Sequence, residues 1–204
     1  MTIGCVILAG GKSSRMGTDK ALLEINGKKF IRRIAEELDF FEEKLIARGK
    51  NRATPIDGWN VIPDIYPECG PVGGLHAALT ACESDALFCV SCDMPLIRRE
   101  LVEELCEQIT EAFDAVIVRD ESGRAHPICG VYRKSAVPVF EQQILTGNYR
   151  VMRALEHLRI RYVTVALENG GEQLRNINTP EDYRELEMWK TEENLKKILG
   201  QKKN

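Results

Sequence analysis

Short apolar runs alternate with amphipathic segments through most of the chain. Ile3–Leu8 is a continuous apolar run bounded by glycines, which is typical of a strand buried on both faces. Elsewhere apolar residues recur at spacings of three and four, as in a helix with one buried face. The predicted strands of the first half are Ile3–Leu8, Lys44–Ala47, Asn60–Ile62, Ala86–Ser91 and Ala115–Val118, and the predicted helices are Phe30–Phe41, Leu75–Cys82 and Leu101–Ile109. This alternation predicts an α/β fold with a mostly parallel sheet covered by helices on both faces.

The second half is less regular. Its predicted strands are Ile128–Tyr132 and Arg161–Val165, and its predicted helices are Ala136–Leu145, Val151–Leu158 and Thr179–Met188. Thr179 is expected to cap the last helix, with Pro180 at the first helical position. Asn26-Gly27 predicts a tight turn. We expect a single domain over residues 1–190, followed by a Lys-rich surface tail over residues 191–204.

Charge and cysteine usage narrow the class of partner. The 204 residues carry a net charge of −3, which disfavours nucleic acid as a main partner. No apolar run reaches the roughly 18 residues of a membrane span, and no secretory signal is evident, so a cytoplasmic protein with no membrane partner is expected. The 7 cysteines are expected to be reduced. Cys89 and Cys92 have the spacing of a zinc or redox pair, but packing on a buried strand is favoured because no second pair is evident.

The strongest candidate for chemistry follows the first strand. Leu8, Ala9, Gly10 and Gly11 lead into a segment that carries the cations Arg15 and Lys20, and the glycines free backbone N–H groups to face an anion. A Walker A loop is excluded because residue 6 is Val, and the dinucleotide pattern fails because Lys12 follows Gly11. We therefore predict a third kind of phosphate loop that binds a polyphosphate. The alternative is a Gly-rich surface turn with solvated charges.

Asp93 directly follows the apolar strand Ala86–Ser91. In open α/β sheets ligands bind beyond the carboxyl ends of the strands, and one carboxylate there is sufficient to hold Mg²⁺ together with phosphate and water. Mn²⁺ accepts the same oxygen ligands. The alternative is that Asp93 caps the helix that starts near Arg99.

Asp64 follows another strand and precedes the glycines of Gly70–Gly74. A carboxylate can accept two hydrogen bonds side by side, which matches N1–H and the N2 amino group of guanine but neither cytosine nor adenine. This pattern favours GTP, although Asp64 could instead be a turn residue in a Pro/Gly-rich loop.

Further candidates lie in the second half of the chain. Asn176 and Asn178 offer donors and acceptors that suit a polar heterocycle or a metal-bound water, but Asx turns before a helix would also explain them. His126, which precedes Pro127, is interpreted as a residue that shapes a loop, and Arg150 as an exposed side chain.

Taken together, these motifs resemble those of the molybdenum cofactor guanylyltransferases. The resemblance extends over roughly residues 3 to 186 and includes Leu8–Gly11, Arg15-Met16-Gly17, Asp19-Lys20, Pro63-Asp64, Gly70–Gly74, Cys92–Pro95, His126-Pro127, Arg150–Met152 and Asn176–Pro180. It implies a Rossmann-like three-layer α/β/α nucleotidyltransferase fold. Relatives often have an Asn after the second strand where this chain has Arg48, which is left off the predicted site.

The resemblance also implies roles for the candidate residues. Leu8, Ala9, Gly10, Gly11 and Lys20 would bind the nucleotide, Asp64 would recognise guanine, Asp93 would bind Mg²⁺, and Arg150, Asn176 and Asn178 would contact the acceptor. The acceptor would be molybdopterin loaded with molybdenum, and the products would be a guanine dinucleotide and pyrophosphate. Handover proteins of cofactor synthesis would deliver the acceptor or receive the product. Arg15, Lys20 and Asp93 are the expected catalytic residues. Two alternatives are open: a related transferase that uses CTP or another phosphorylated metabolite, and a GTP-binding adaptor without transfer activity.

Overall fold

A computed structural model describes residues 1–10, 22–48, 55–166 and 171–188. The strands in these ranges are β1 (Ile3–Leu8), β2 (Glu24–Ile25), β3 (Lys28–Lys29), β4 (Lys44–Ala47), β5 (Asn60–Ile62), β6 (Ala86–Ser91), β7 (Ala115–Asp120), β8 (Ala125–Arg133) and β9 (Ile160–Val165). The helices are α1 (Phe30–Glu37), α2 (Gly70–Ala81), α3 (Arg99–Gln108), α4 (Val137–Leu145), α5 (Val151–Leu155) and α6 (residues 180–188). Short 3₁₀ turns lie at Lys134–Ala136 and Gly171–Leu174.

A seven-stranded sheet in the order β5-β4-β1-β6-β8-β7-β9 forms the centre of the fold. Within the described residues β8 alone runs antiparallel to its neighbours, β6 and β7, whereas β5, β4, β1 and β6 pair in parallel, as do β7 and β9. The predicted mostly parallel sheet is therefore confirmed. The separate β2–β3 hairpin turns at Asn26 (φ 53°) and Gly27 (φ 73°), which confirms the predicted tight turn.

Buried side chains form one core on each face of this sheet, so the fold has three layers. The first cluster packs α1 and α3 against one face, with Ile7, Ile34, Val90 and Leu105 among its members. The second cluster packs α2, α4 and α5 against the other face. Cys89 belongs to the second cluster and Cys92 to the first, because alternate residues of a strand point to opposite faces.

This separation excludes the zinc or redox pair that the spacing of Cys89 and Cys92 allowed. Both residues are buried free thiols, as are most of the other cysteines. Burial raises the pKa of the Cys129 thiol to about 12, which keeps it protonated and inert at neutral pH. The favoured prediction, that these thiols are packing residues, is confirmed, although Cys92 lies in the turn directly after β6 and not on the strand.

The ends of several helices differ from their predicted positions. α1 ends at Glu37 rather than Phe41, because tight turns follow in which Asp39 N–H donates to Glu36 O and Phe41 N–H to Leu38 O. α2 begins at Gly70, five residues before its predicted start. Pro is compatible with a first helical turn, so the Gly- and Pro-rich composition of this segment concealed a helix. α5 ends at Leu155, three residues early.

Close packing explains why glycine occupies the first turns of α2. A Cβ atom on Gly74 would lie 3.4 Å from Leu8 Cδ2, and one on Gly73 would lie 3.0 Å from the carbonyl oxygen of Tyr66. The glycines therefore let α2 approach both the end of β1 and the loop that precedes the helix.

Asp114 joins three strands at the amino end of β7. Its carboxylate accepts hydrogen bonds from Ser135 Oγ (2.8 Å) and from Arg159, through the backbone N–H (3.0 Å), Nε (3.0 Å) and Nη2 (2.8 Å). Its backbone also accepts from Arg133 N–H, at the end of β8, and donates to Arg159 O, before β9. The hydrogen bonds from Arg159 hold the pKa of Asp114 well below its usual range.

We expect Asp114→Asn to lower the free energy of unfolding by about 1–3 kcal/mol at neutral pH, because one amide oxygen cannot serve all of these donors. A carboxylate with a depressed folded-state pKa stabilises the fold above its unfolded pKa of about 4 and loses that contribution as the pH falls through its folded value. The difference between wild type and variant should therefore shrink towards about pH 3, measured by urea unfolding.

The matched control is Asp39→Asn, which removes an exposed carboxylate that bonds Lys44 Nζ at 2.8 Å. Its effect should be much smaller, because exposed ion pairs contribute little. An Asp114→Asn loss that is the same at acidic and neutral pH would contradict the role assigned to the ionised carboxylate.

Candidate active site

The carboxyl ends of β5, β4, β1 and β6 meet along one edge of the sheet, called the carboxyl edge below. Backbone hydrogen bonds continue past the strand ends: Arg48 N–H donates to Ile62 O (3.2 Å), Ala9 N–H to Ala47 O (2.9 Å) and Cys92 N–H to Leu8 O (3.0 Å). These bonds fix the positions at which the chain leaves each strand. The predicted phosphate loop, Asp64 and Asp93 follow β1, β5 and β6 respectively.

The start of the predicted phosphate loop lies at the middle of the carboxyl edge. Leu8 and Ala9 are 5% and 4% exposed, and Gly10 is exposed. Gly11, Arg15 and Lys20 lie outside the described residues. Their contacts with a polyphosphate therefore stay predictions.

Asp93 lies in the turn that follows β6 and is partly exposed. The alternative that it caps the next helix is wrong, because the N-cap of α3 is Arg98. The first N–H groups of that helix are instead served by Gln173 Oε1, which accepts from Arg98 at 3.0 Å, and Glu37 Oε2, which accepts from Arg99 at 3.0 Å. Asp93 thus lies at the carboxyl edge without being the cap of α3.

Asn176 and Asn178 are brought to the same turn as Asp93. Ile177 lies between them, and its N–H donates to Asp93 O at 2.8 Å. Ile177 is itself buried in a third cluster of apolar side chains with Phe30 and Leu96. Asn176 Oδ1 is buried and has no hydrogen-bond partner within the described residues, so it is an oxygen acceptor that a ligand could use.

A reciprocal cap orders the segment after these asparagines. Asp182 Oδ2 accepts from the N–H groups of Asn178 (2.9 Å) and Thr179 (2.8 Å), and Thr179 Oγ1 accepts from Asp182 N–H (3.1 Å). This arrangement is a capping box, and it confirms Thr179 as the cap of α6.

Asp64 lies after β5, in the loop that leads into α2. Its side chain is partly buried, and desolvation raises the pKa of its carboxyl above the usual value. Tyr66 anchors this loop, because its hydroxyl donates to Glu141 Oε1 of α4 at 3.0 Å. At the end of the loop Gly70 adopts a φ of 63°, a left-handed conformation that favours glycine.

Arg150 stands apart from Asp93 and Asn176. It is exposed at the start of α5, where its N–H donates to Asn148 Oδ1 at 3.2 Å. The adjacent Val151 packs in the second cluster, whereas Leu174, close to Asn176, packs in the first. Arg150 therefore lies over one face of the sheet and the asparagine segment over the other. An acceptor that contacted all of these predicted residues would have to lie across the carboxyl edge.

Two groups at this edge are absent from the predicted site. Arg48, which the sequence analysis left off the site, is only 4% exposed directly after β4, as a charged residue at the end of an apolar strand. Asp120 and His126 form a pair in which His126 Nε2 lies 3.2 Å from Asp120 Oδ2. Asp120 was not predicted as a site residue because β7 extends two residues past its predicted end.

The interpretation of His126-Pro127 as a loop is wrong, because both residues belong to β8. Pro cannot donate to a strand ladder and is found at irregularities. Here the pairing of β7 with β8 shifts register between Ile117 and Val118, which places Pro127 in a bulge. Tyr132 Oη donates to the carbonyl oxygen of Pro127 and so satisfies one backbone group of this bulge.

In the described ranges no three His, Cys, Asp or Glu side chains gather as a metal cluster. No helix there is long and apolar enough to cross a membrane.

Comparison with known proteins assigns the class. A family model described as "MobA-like NTP transferase domain" matches residues 5–163. A protein of Clostridium perfringens (strain SM101) named "Probable molybdenum cofactor guanylyltransferase" is 32% identical over an alignment of 187 residues that covers 88% of this chain and 93% of that protein. A protein of Pelotomaculum thermopropionicum with the same name is 35% identical over an alignment of 182 residues that covers 87% of this chain and 88% of that protein.

Solved structures agree with this assignment. Molybdopterin-guanine dinucleotide biosynthesis protein A from Archaeoglobus fulgidus superposes with a TM-score of 0.77 at 25% identity, covering 94% of this chain and all (100%) of that one. The CMP:2-keto-3-deoxy-manno-octonic acid synthetase structure has a TM-score of 0.75 at 18% identity, over 95% of this chain and 100% of that one, which shows a shared fold.

The fold and its carboxyl edge are therefore those of a Rossmann-like nucleotidyltransferase. The chain belongs to the MobA-like NTP transferase family, whose curated relatives are named molybdenum cofactor guanylyltransferases, and the resemblance inferred from its motifs is confirmed.

Because the capping box orders the segment that carries Asn176 and Asn178, we expect Asp182→Ala to lower the free energy of unfolding by about 1–2 kcal/mol. The amide protons of Asn178 and Thr179 should also exchange faster with solvent. Glu181→Ala is the control, since Glu181 only pairs with Arg184 on the surface and should contribute less than about 0.5 kcal/mol. Equal losses in both variants, measured by chemical denaturation, would contradict the cap.

Proposed function

We propose that the protein transfers GMP from GTP to the terminal phosphate of molybdenum-loaded molybdopterin, forming the guanine dinucleotide cofactor and releasing pyrophosphate. The observation that carries this proposal is the row of backbone hydrogen bonds that joins the start of the phosphate loop, the Asp93 turn and the asparagine segment at one edge. The names of the relatives support the choice of nucleotide and acceptor.

The nucleotide is expected to lie over the ends of β1 and β5. Leu8, Ala9, Gly10 and Gly11 would contact it with backbone groups, and Arg15 and Lys20 would neutralise the β- and γ-phosphates. Asp64 is separated from β1 by β4 alone, so its carboxylate would accept the two guanine donors from the other end of the nucleotide.

The residues present suit Mg²⁺, which usually takes one or two protein carboxylates together with phosphates and water. Asp93 supplies a carboxylate, and the buried Asn176 Oδ1 supplies an unpartnered oxygen beside the same turn, directly or through a water. Mn²⁺ would accept the same oxygens. When bound, such an ion neutralises charge on the phosphates.

The reaction needs no covalent enzyme intermediate. An oxygen of the acceptor's terminal phosphate attacks the α-phosphorus of GTP in line, a new P–O bond forms, and the bond to the β-phosphate oxygen breaks as pyrophosphate leaves. Arg15 and Lys20 would take up the negative charge that develops on the leaving group. Arg150, Asn176 and Asn178 would orient the acceptor, so catalysis consists of positioning and charge neutralisation.

We expect Asp93→Ala to abolish Mg²⁺-dependent pyrophosphate release while the protein stays folded, because loss of one charge-stabilising contact costs on the order of 3 kcal/mol, about a hundredfold in rate. Asp57→Ala is the control, since Asp57 is an exposed carboxylate before β5, away from the carboxyl edge. A folded Asp93→Ala protein with the wild-type rate would remove the metal assignment, and a wild type that binds GTP without acceptor-dependent release would be an adaptor.

Base recognition is tested with Asp64→Asn. The wild type should bind GTP more tightly than ITP, which lacks the N2 amino group, and more tightly than CTP, whereas the variant should bind GTP roughly ten- to a hundredfold more weakly. Burial raises the pKa of Asp64, and only the ionised form accepts both donors. GTP affinity should therefore decline on acidification at a higher pH than for an ordinary Asp, and this decline should vanish in the variant.

Calorimetric titration with each nucleotide and Mg²⁺ measures these affinities. Equal binding of GTP, ITP and CTP by the wild type would overturn the guanine assignment and leave a transferase with another base preference.

A further inference from the structure

A histidine that the proposed reaction does not use lies at the carboxyl edge. His126 and Asp120 face each other in the β7–β8 hairpin with side chains that are only 10% and 11% exposed, and His126 Nε2 lies 3.2 Å from Asp120 Oδ2. Because β7 runs parallel to β6, the tip of this hairpin stands at the edge where Asp93 stands.

The bulge in β8 decides which way His126 points. Gly130 pairs with Ile117, and the next pair along β7 joins Val118 to His126. Regular pairing would join Val118 to residue 129, so residues 127–129 are extra residues that form the bulge. A register shift by an odd number reverses the face to which side chains point. His126 therefore lies on the face of Val118 and the first cluster, whereas Ile128 and Tyr132 face the second. Bulges commonly re-aim a side chain in this way beside active sites.

The strand pairs place His126 on the strand next to the one that leads to Asp93. Gly130 pairs with Cys89 of β6 and with Ile117 of β7, so the next residues of these two strands, Val90 and Val118, lie level with each other. Because His126 pairs with Val118, it lies at the height of Val90, three residues before Asp93 along the chain.

The Asp120 carboxylate determines which imidazole nitrogen of His126 carries a hydrogen. Its Oδ1 accepts from Ser122 Oγ and, at 3.0 Å, from Arg124 N–H. These bonds and that of His126 lower the pKa of Asp120 to about 2, so the carboxylate is ionised and can only accept. Nε2 must then carry a hydrogen in either charge state of the ring. The described residues make no hydrogen bond to Nδ1, and His126 is not fully buried, so Nδ1 is the ring atom left for a ligand.

We propose that His126 Nδ1 contacts the terminal phosphate of the acceptor, and that Asp120 is the positioning residue that holds the ring for this contact. The inference rests on the proposed function, since it concerns the same transfer. Ser122 bonds to Asp120 rather than to His126, so the arrangement is not that of an activated serine nucleophile.

The chemistry of a phosphate monoester suits this position. Its second ionisation lies near pH 6, so around neutrality one hydrogen can be held between Nδ1 and a phosphate oxygen. Either the phosphate O–H donates to the neutral ring or the imidazolium N–H donates to the dianion. When the phosphate oxygen forms its bond to the α-phosphorus of GTP, this hydrogen remains on the imidazolium and returns to solvent after release.

Two substitutions at one position separate this role from a structural one. His126→Gln places an amide near the site of Nε2, so it keeps a partner for Asp120 and loses the Nδ1 contact. His126→Asn places an amide near the site of Nδ1 and loses the bond to Asp120. We expect His126→Gln to lower kcat/KM for the acceptor by about tenfold or more with unchanged Kd for GTP, and His126→Asn to retain more activity.

If the Asp120–His126 pair has only a structural role, the order of the two activities is reversed, with His126→Gln near wild type and His126→Asn impaired. That result would overturn the proposal. A rise in the Kd for GTP in His126→Gln would place the contact on the nucleotide and would overturn it as well. Urea unfolding of both variants shows whether a loss of activity reflects a loss of folding.

Nitrogen NMR of ¹⁵N-histidine gives a readout that does not depend on turnover. The chain has 3 histidines, which His126→Gln assigns. With α,β-methylene-GTP and Mg²⁺ occupying the nucleotide site, titration with inorganic phosphate should shift Nδ1 of His126 and leave those of His76 and His157 unchanged. An unshifted His126 at saturating phosphate, or a ring with its hydrogen on Nδ1 alone, would refute the contact.

These outcomes are distinct from a failure of the proposed function. If the wild type does not transfer GMP to the acceptor, the proposed function fails. If the wild type transfers GMP and His126→Gln transfers it equally well, the function stands and only the role of His126 is refuted.

Discussion

The parallel pairing of β1 with β4 and β6 is the constraint on which the rest of the molecule depends. It brings three strand ends to one edge, and the backbone bonds from Ala9 to Ala47 and from Cys92 to Leu8 carry that alignment into the loops. Ile177 extends it to a segment more than eighty positions further along the chain by bonding to Asp93. Candidate site residues from distant parts of the sequence are thereby held by main-chain bonds, whose positions do not depend on side-chain rotamers.

The sequence predicted the first half of the sheet well because its central strands are buried on both faces. Such strands are continuous apolar runs, and β1, β4 and β6 have the predicted bounds. The short edge strand β5 also has its predicted bounds, although its residues are exposed or only partly buried. The start of α2 was missed because Gly73 and Gly74 suggest a loop by composition, whereas their function is close packing against Tyr66 and Leu8. The helix propensity of a residue does not reflect a contact with residues that are distant in the sequence.

The candidate site was predictable to the extent that it follows strand ends. Asp93, Asn176 and Asn178 lie where a doubly wound sheet places ligands, and the bond between Ile177 and Asp93 joins their segments. The Asp120–His126 pair could not be found in this way, because its geometry depends on a bulge three residues long in β8. A bulge is a property of strand pairing, which spacing along one strand does not reveal.

The separation between Asp114 and the carboxyl edge has an evolutionary consequence. β7 has 6 residues between Asp114 and the hairpin tip, a span of about 20 Å at the usual rise per residue. Substitutions at such a distance, without shared partners, combine additively. Lineages that adapt to heat or cold can therefore adjust the ties between β7, β8 and β9 at the amino end, and the geometry of catalysis at the opposite end is preserved.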